Sequence, residues 1–137
     1  MDTQQANKDL VISFFQVYNT KDYSILDQCM AVDYIDHSLP QVRCLADAIA
    51  ILQSTHKALP DIQVEIHDLI AEHDQVVFRG RFRGTHLGEF LGLPPSGASI
   101  EFEAIEIFKI AGNKISESWG YWPTGDILKQ LRLKTSP

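Results

Sequence analysis

The sequence predicts an α+β fold in which helices cover one side of a strongly curved, cone-shaped antiparallel sheet. Apolar residues recur at helical spacing before Pro60, and apolar and polar residues alternate in strand-like runs after it. Those runs follow one another directly, which favours antiparallel neighbours in one sheet. Because 137 residues with 45% hydrophobic content suit one core and are too few for two, we expect a single domain over residues 1–137.

Three helices are predicted before Pro60. The first carries its apolar residues between positions 10 and 18, after a capping pair of Asp2 and Gln5. A short second helix is predicted over about residues 22–30. Proline lacks the amide donor and clashes with the preceding turn, so Pro60 ends the third helix. The apolar stripe of that third helix consists of Leu45, Ala48, Ile49, Leu52, His56 and Leu59.

Four strands are predicted after Pro60. In the first of them, Ile62, Val64 and Ile66 alternate with polar residues, which is typical of a strand with one covered face. The last two strands are joined by turn residues, and a short C-terminal helix follows, which Asp126 can cap. The predicted strands comprise residues 62–67, 75–84, 100–110 and 114–122.

The charge pattern argues against a nucleic-acid partner. The formal net charge is −6 and there is no basic run, although Arg79, Arg81 and Arg83 form a local basic cluster. No apolar run approaches the roughly 20 residues of a membrane span, and residues 1–7 lack the features of a signal peptide. We therefore expect a cytoplasmic protein that binds neither nucleic acid nor membrane.

The sequence predicts neither a metal site nor a cofactor. Cys29 and Cys44 form no CxxC pair, and reduced, packed thiols are expected. The chain has no HExxH, HxH or clustered Cys and His spacing. No serine or cysteine lies in a nucleophile-elbow context, so covalent catalysis is not predicted either.

Residues 84–92 form a glycine-punctuated loop that follows the second strand and carries His86. Gly84, Gly88 and Gly92 allow backbone shapes that other residues avoid, so the loop can fold tightly against a neighbour or a ligand. We interpret the loop as a candidate site that displays His86. The alternative is a wide connection whose glycines only relieve steric crowding.

His37 is the second candidate for proton transfer. It ends the segment 33–37, where the chain crosses toward the sheet, and an imidazole titrates near neutrality. Tyr34 and Pro40 indicate a shaped segment, whereas the alternative is a solvated surface histidine. We predict that His37 and His86 line one cavity within ~10 Å of each other and share proton transfer there.

Three weaker candidates have structural alternatives. His56 either faces the cavity or is a hydrogen-bonded core histidine. Glu106 shares an alternation face with Ile100 and Phe108, so it points inward with its charge paired or its pKa raised, unless a bulge turns it outward. Asp126 is either part of the site or only a helix cap.

Aromatic and polar residues are predicted to hold the ligand. Tyr121 can offer a phenol to a bound carbonyl, while Trp119 either lines the pocket or fills the core. The predicted substrate-binding residues are Arg79, Tyr121, Trp119, Tyr34 and Phe90.

The outer side of the sheet yields two further expectations. A guanidinium in mid-strand requires a carboxylate, so we expect Arg79 to pair with Glu101, Glu103 or Glu106 across the sheet. The apolar residues on both sheet faces predict a homodimer that covers the outer side.

One set of short segments is specific in its order and spacing: residues 33–37, 59–61, 74–79, 84–90, 95–97, 112–119 and 130–131. With these segments, which extend over nearly the whole chain, the sequence resembles the SnoaL-like polyketide cyclase family of the nuclear-transport-factor-two-like superfamily. The resemblance implies an α+β cone with a deep pocket, commonly dimeric through the sheet. It also implies cofactor-free ring closure of polyketide intermediates by intramolecular aldol condensation, with an aspartate as acid/base.

The chain departs from the family at the position of that aspartate, four residues after Trp119, where it has Pro123. Proline cannot transfer a proton, so we expect the fold to carry over and any acid/base chemistry to come from other groups. The predicted function is cofactor-independent acid/base catalysis on a small hydrophobic, carbonyl-bearing molecule. The alternatives are a non-catalytic ligand-binding or association domain, and an isomerase or hydrolase that uses the same pocket.

Overall fold

The fold consists of helices packed on one side of a five-stranded sheet. The computed structural model describes the backbone of residues 2–135; the predicted domain also includes Met1, Ser136 and Pro137, which lie outside the described residues. No helix in the described part is both long enough and apolar enough to cross a membrane. The elements are α1 (Thr3–Thr20), α2 (Ser24–Cys29), β1 (Met30–Asp36), α3 (Leu45–Ala58), β2 (Gln63–Glu72), β3 (Gln75–Thr85), β4 (Ser99–Ala111), β5 (Lys114–Tyr121) and α4 (Thr124–Thr135).

Local interactions define the helix ends. Asp2 caps α1 by accepting a hydrogen bond at Oδ1 from the Gln4 amide at 3.0 Å. The same helix ends where Lys21 adopts a left-handed conformation with φ of 62°. α3 ends at Ala58, shortly before Pro60, as the sequence predicts. The three N-terminal helices and the short C-terminal helix are thus confirmed.

The sheet is mixed, with strand order β1-β5-β4-β3-β2. Strands β2 to β5 are antiparallel, as predicted. β1 adds a parallel edge strand beside β5, which corrects the expectation that every strand is antiparallel. Alternation does not reveal β1, because its pairing shifts register between Met30 and Ile35 and Val32 is 80% exposed.

The two faces of the sheet differ in chemistry, as the alternation predicts. On the inner face, Phe78 and Phe82 of β3 and Phe108 of β4 are fully buried. Phe15 of α1 stacks on Phe78 with ring centroids 3.8 Å apart. The core therefore lies between the helices and the inner face. The outer face carries the charged residues Arg79, Arg81, Glu101 and Glu103.

One extra residue in β5 changes which of its side chains face inward. Ile110 of β4 pairs with Ile115, and its neighbour Lys109 pairs with Glu117. Ser116 has no ladder partner between them and is the additional residue of a bulge. As a result Ile115 is fully buried on the inner face, while Trp119 lies on the outer face. Regular alternation along β5 would place Ile115 and Trp119 on one face, and the bulge separates them.

Candidate active site

An apolar cavity of about 400 Å³ lies between the helices and the inner face of the sheet. Residues of α1 and α3 form part of its wall, the ends of β1 and β5 form another part, and the loop at residues 86–98 contributes Phe90 and Leu91. Concave apolar sites with a few polar groups are the usual form of small-molecule sites. Its polar lining residues are Tyr18, Tyr34, Asp36, Ser38, Thr55, Glu106, Tyr121, Trp122 and Thr124.

Glu106 lies on the cavity side of β4 and is only 7% exposed. Its strand pairs with β3 in continuous register from residue 99 to residue 109, so no bulge turns it outward. Burial, and then the charge of Asp36, raises the pKa of Glu106 to about 8, while a hydrogen bond from Trp122 opposes this shift. That bond joins Trp122 Nε1 to Glu106 Oε2 at 3.5 Å. Glu106 is therefore mainly a neutral carboxylic acid at pH 7.

Asp36 ends β1 at the same cavity and is oriented by Ser38. Its Oδ1 atom accepts hydrogen bonds from the Ser38 amide at 2.9 Å and the Ser38 hydroxyl at 2.5 Å. Ser38 Oγ in turn accepts a bond from the Gly120 amide at 3.1 Å. Gly120 pairs with Glu106 across the ladder, and a Cβ there would lie 3.2 Å from Ser38 Oγ and 3.4 Å from Glu106 Oε1. A Cβ at this position would contact both polar side chains closely, and glycine avoids those contacts.

Two tyrosine hydroxyls add hydrogen-bonding groups to the wall. The Tyr34 hydroxyl is hydrogen-bonded to Ser118 Oγ. Burial raises the pKa of the Tyr34 phenol, and burial followed by the charge of Glu106 raises the pKa of the Tyr18 phenol. Both phenols therefore remain protonated near neutral pH and can donate hydrogen bonds.

His37 lies on the outer side of the sheet. Its ring stacks on Trp119 with centroids 4.7 Å apart, and its Nε2 atom lies 2.8 Å from Glu117 Oε1. The contact with His37 is the main cause that lowers the pKa of Glu117. Asp36 and Ser38 line the cavity, and the residue between them points the other way. Trp119, a predicted substrate-binding residue, is likewise placed outside the cavity.

His86 lies fully buried at the base of the loop at residues 86–98. Its Nδ1 atom lies 2.8 Å from Ser96 Oγ and accepts a bond from the Ser96 amide at 3.3 Å. Its backbone bonds with Gly97 and Ala98, each at 2.9 Å. Its Nε2 atom is buried and has no hydrogen-bond partner within the described residues. His86 therefore closes the loop that carries Phe90 over the cavity.

The cavity lining contains neither His37 nor His86. The prediction that both imidazoles line one cavity is therefore wrong, and the reasons differ. Strand alternation turns His37 outward, whereas His86 is directed into the interior of its own loop. A role for either histidine in catalysis stays a prediction.

Arg79 lies on the outer face of the sheet, which corrects its predicted place in the ligand site. Its Nη1 atom lies 3.1 Å from Glu103 Oε2 and its Nε atom lies 2.6 Å from Asp68 Oδ2. The predicted pairing with a β4 glutamate is confirmed. All three side chains are partly exposed, so this is a surface ion-pair group on the opposite side from the cavity.

Three of the predicted substrate-binding residues do contact the cavity. Tyr34 and Phe90 line it, and Tyr121 lies at its mouth with 62% of its surface exposed. A broad aromatic wall results, suited to a flat hydrophobic molecule.

Two of the weaker candidates make structural interactions elsewhere. His56 is a buried, fully bonded core histidine, with Nδ1 at 2.6 Å from the Tyr23 hydroxyl and Nε2 donating to the Tyr18 carbonyl at 2.9 Å. Asp126 lies in the first turn of α4 and accepts a bond from Gln130 Nε2 at 2.9 Å. Neither side chain is part of the cavity lining.

The sequence analysis missed several polar cavity residues. Asp36 had a usable signal, because it stands two positions after Tyr34 and a strand would place both on one face. Ser38 had no comparable signal in the sequence, because its contacts depend on how the chain turns after β1. Tyr18 and Trp122 read as ordinary core aromatics.

No group of three or more His, Cys, Asp or Glu side chains within the described residues is arranged to hold a metal ion. Cys29 is a buried free thiol and Cys44 a half-buried one.

Solved structures with the same fold cover almost the whole chain. TsrD from Streptomyces laurentii is 26% identical, with 96% of this chain and 97% of that chain covered and a TM-score of 0.89. AclR from Streptomyces galilaeus, a candidate hydroxylase, is 26% identical, with coverages of 96% and 83% and a TM-score of 0.84. IdmH from Streptomyces antibioticus, a candidate polyketide cyclase, is 26% identical, with coverages of 92% and 98% and a TM-score of 0.80. A comparison with curated protein sequences gave no match.

The family comparison agrees with the fold. A model of the SnoaL-like polyketide cyclase family matches residues 8–131. This match covers most of the chain, including every strand and the residues of the cavity. The chain belongs to the SnoaL-like polyketide cyclase family.

Proposed function

We propose that the protein catalyses proton transfer on a small hydrophobic, carbonyl-bearing molecule, without a cofactor, and closes a ring by intramolecular aldol condensation. The observation that carries the proposal is Glu106, a neutral carboxylic acid buried in the same cavity as the charged carboxylate of Asp36. Two carboxyl groups in one cavity, in surroundings that differ, are suited to the separate roles of acid and base.

Asp36 is the proposed base. Its carboxylate takes a proton from the carbon next to the substrate carbonyl, and the Ser38 bonds to Oδ1 hold it in position for that step. The electron pair of the broken C–H bond moves to the carbonyl oxygen and forms an enolate. Hydrogen-bond donors are needed at that oxygen, where negative charge develops.

Glu106 is the proposed acid. Its protonated carboxyl group donates a hydrogen bond to the enolate oxygen, and the Tyr18 hydroxyl on the facing wall is a second available donor. The enolate carbon then attacks a second carbonyl of the same molecule and forms the new C–C bond. The alkoxide that results takes up the proton that left the carbon, so both carboxyl groups return to their initial states.

This assignment provides an alternative to the aspartate that Pro123 replaces. Asp36 and Glu106 lie on β1 and β4, whereas Pro123 directly precedes α4. The chemistry is therefore proposed to use side chains from other elements of the cavity wall. Enolate formation also begins double-bond migration, so an isomerase is the second candidate that the same two groups support.

Deuterium exchange tests the proposal directly. The flat hydrophobic ketone 2-tetralone is incubated with the protein in D₂O, and loss of its α-proton signals is followed by NMR. We expect exchange faster than in buffer alone, and we expect Asp36→Asn to reduce it by roughly 10²-fold or more. Exchange at the buffer rate with the unaltered protein would favour the non-catalytic binding domain.

Two properties accompany the proposal. We infer a homodimer through the outer face of the sheet, supported by the exposed apolar residues there, and a location in the cytoplasm. Neither is needed for the chemistry of the cavity.

A further inference from the structure

We propose that the cavity also binds small hydrophobic amines in their protonated form, with the ammonium group beside Asp36 and Glu106. This inference rests on the same two carboxyl groups as the proposed function, but it requires no catalysis. The ligand class is a compact amine with a flat apolar body.

The charge of the lining is the first argument. Its two ionisable carboxyl groups are Asp36 and Glu106, and no lysine, arginine or histidine is found among the described lining residues. The chain as a whole carries a formal net charge of −6. A cation entering the cavity therefore meets negative charge without a competing positive group, and an anion is repelled.

The position of Glu106 is the second argument. More than nine-tenths of the residue is buried, and its Oε2 atom receives the Trp122 bond. Oε1 lies on the Gly120 side, 3.4 Å from the position that a Cβ at residue 120 would take, and Gly120, Ser38 and Asp36 line the same cavity. An ammonium nitrogen in the cavity can donate to Oε1, and its remaining hydrogens can reach Ser38 Oγ or the Asp36 carboxylate.

The aromatic wall is the third argument. Rings of Phe14, Tyr18, Tyr34, Phe90 and Trp122 line the cavity. The faces of such rings attract a cation and pack well against a flat apolar body. A carboxylate or phosphate ligand gains nothing comparable from them.

Proton linkage distinguishes this mode of binding. An ammonium group beside Glu106 favours its ionised form, so the carboxyl group gives up its proton when the amine binds. The titratable groups that face it are Tyr18 of α1 and Tyr34 and Asp36 of β1, while α3 and α4 contribute no charged side chain to the lining. Both phenols remain protonated at neutral pH, so the released proton comes from Glu106.

Isothermal titration calorimetry at pH 7 tests the inference with three probes of one shape. These are 1-naphthylmethylamine, its neutral counterpart 1-naphthalenemethanol, and the anion 1-naphthoate. We expect the amine to bind at least roughly tenfold more tightly than the alcohol, and the anion more weakly than both. Titrations in phosphate and in Tris, which differ in ionisation enthalpy, should show release of roughly one proton per amine bound.

Variants assign the effect to the two carboxyl groups. Glu106→Gln should abolish proton release and remove most of the preference for the amine over the alcohol, and Asp36→Asn should reduce that preference as well. Glu103→Gln, the same change on the outer face of β4, is the matched control and should change neither. Thermal melting of each variant verifies that it is folded.

Three outcomes would overturn the inference: equal binding of amine and alcohol, no binding of the amine, or amine binding without proton release. Deuterium exchange into 2-tetralone, measured on the same samples, separates the two proposals. Amine binding with proton release but without exchange supports this inference and contradicts the proposed function. Exchange without a preference for the amine supports the proposed function and contradicts this inference.

Discussion

Glu103 and Glu106 lie three positions apart on β4 and have opposite surroundings. Glu103 faces the outer side of the sheet, where it forms ion pairs with Arg79 and Arg81 in contact with solvent. Glu106 faces the cavity, where no cation lies within the described lining and burial raises its pKa to about 8. The same side chain is a solvated ion on one face and a neutral acid on the other. The comparison teaches that the face of the strand, more than the residue type, determines the chemistry of a carboxyl group.

The largest expected difference between the two faces is in catalysis. Glu106→Gln removes the proposed acid and should reduce exchange of 2-tetralone by roughly 10²-fold or more, while Glu103→Gln should leave the rate within about twofold. NMR exchange rates measure both variants under the same conditions. Equal effects of the two substitutions would place the chemistry elsewhere. The rate of the unaltered protein should also fall as pH rises through about 8, since Glu106 then loses its proton.

The next difference concerns stability against pH. The folded protein holds the Glu106 proton more tightly than the unfolded chain does, because its pKa is raised from 4.5 to about 8. This contribution to stability is fully present below about pH 4.5 and is lost as pH rises through about 8. Between about pH 5 and pH 9 the protein should lose about 2 to 4 kcal/mol relative to Glu106→Gln. Urea unfolding at a series of pH values measures this, and parallel curves for the two proteins would contradict it.

A third prediction concerns the outer face alone. Ile105 is 43% exposed between Arg79 and Tyr121 in the β ladders, so it lies near the middle of the proposed dimer interface. We expect a dimer at micromolar concentration, and Ile105→Glu should shift it to a monomer because a charge is then buried. Light scattering gives the mass. Leu87→Glu, at an exposed loop position, is the control, and a monomeric unaltered protein would refute the interface.

The smallest expected effect is that of the Arg79 and Glu103 ion pair. Both side chains are partly exposed, and solvent screens their attraction. A double-mutant cycle with Arg79→Gln and Glu103→Gln, measured at a concentration at which light scattering shows a monomer, should give a small coupling free energy that decreases further with added salt. Chemical denaturation of the four proteins measures it. A large coupling in the monomer that is insensitive to salt would contradict this prediction.

The strands of the sheet centre could be predicted because their alternation is regular. β3 and β4 are paired without interruption, so each residue's face follows from its position. β1 could not be predicted, because an edge strand with a shifted register has no regular alternation to detect. The direction of the Glu106 side chain could not be decided for a related reason. A bulge in β4 would turn it outward, and the sequence does not show which strand contains a bulge.

The site was harder to predict than the fold. Titration near neutrality pointed to His37, while the adjacent Asp36 is the residue that lines the cavity. The decisive property is a pKa changed by burial, and burial depends on the packing of α1, α3 and the loop at residues 86–98 against the sheet. Those contacts join distant parts of the chain, so no local pattern records them.

The bulge at Ser116 makes the register of β5 a determinant of the cavity. With this extra residue, Gly120 lies beside Ser38 and Glu106, and Trp119 lies against His37 on the other side. If β5 instead paired regularly from Ile115 onward, with no bulge, Trp119 would lie opposite Glu106 in the place that Gly120 now has, and its indole would face the cavity side. The interior volume available to a ligand would then be smaller, with no change in overall composition. The position of one bulge therefore decides whether glycine or tryptophan stands beside the two carboxyl groups of the cavity.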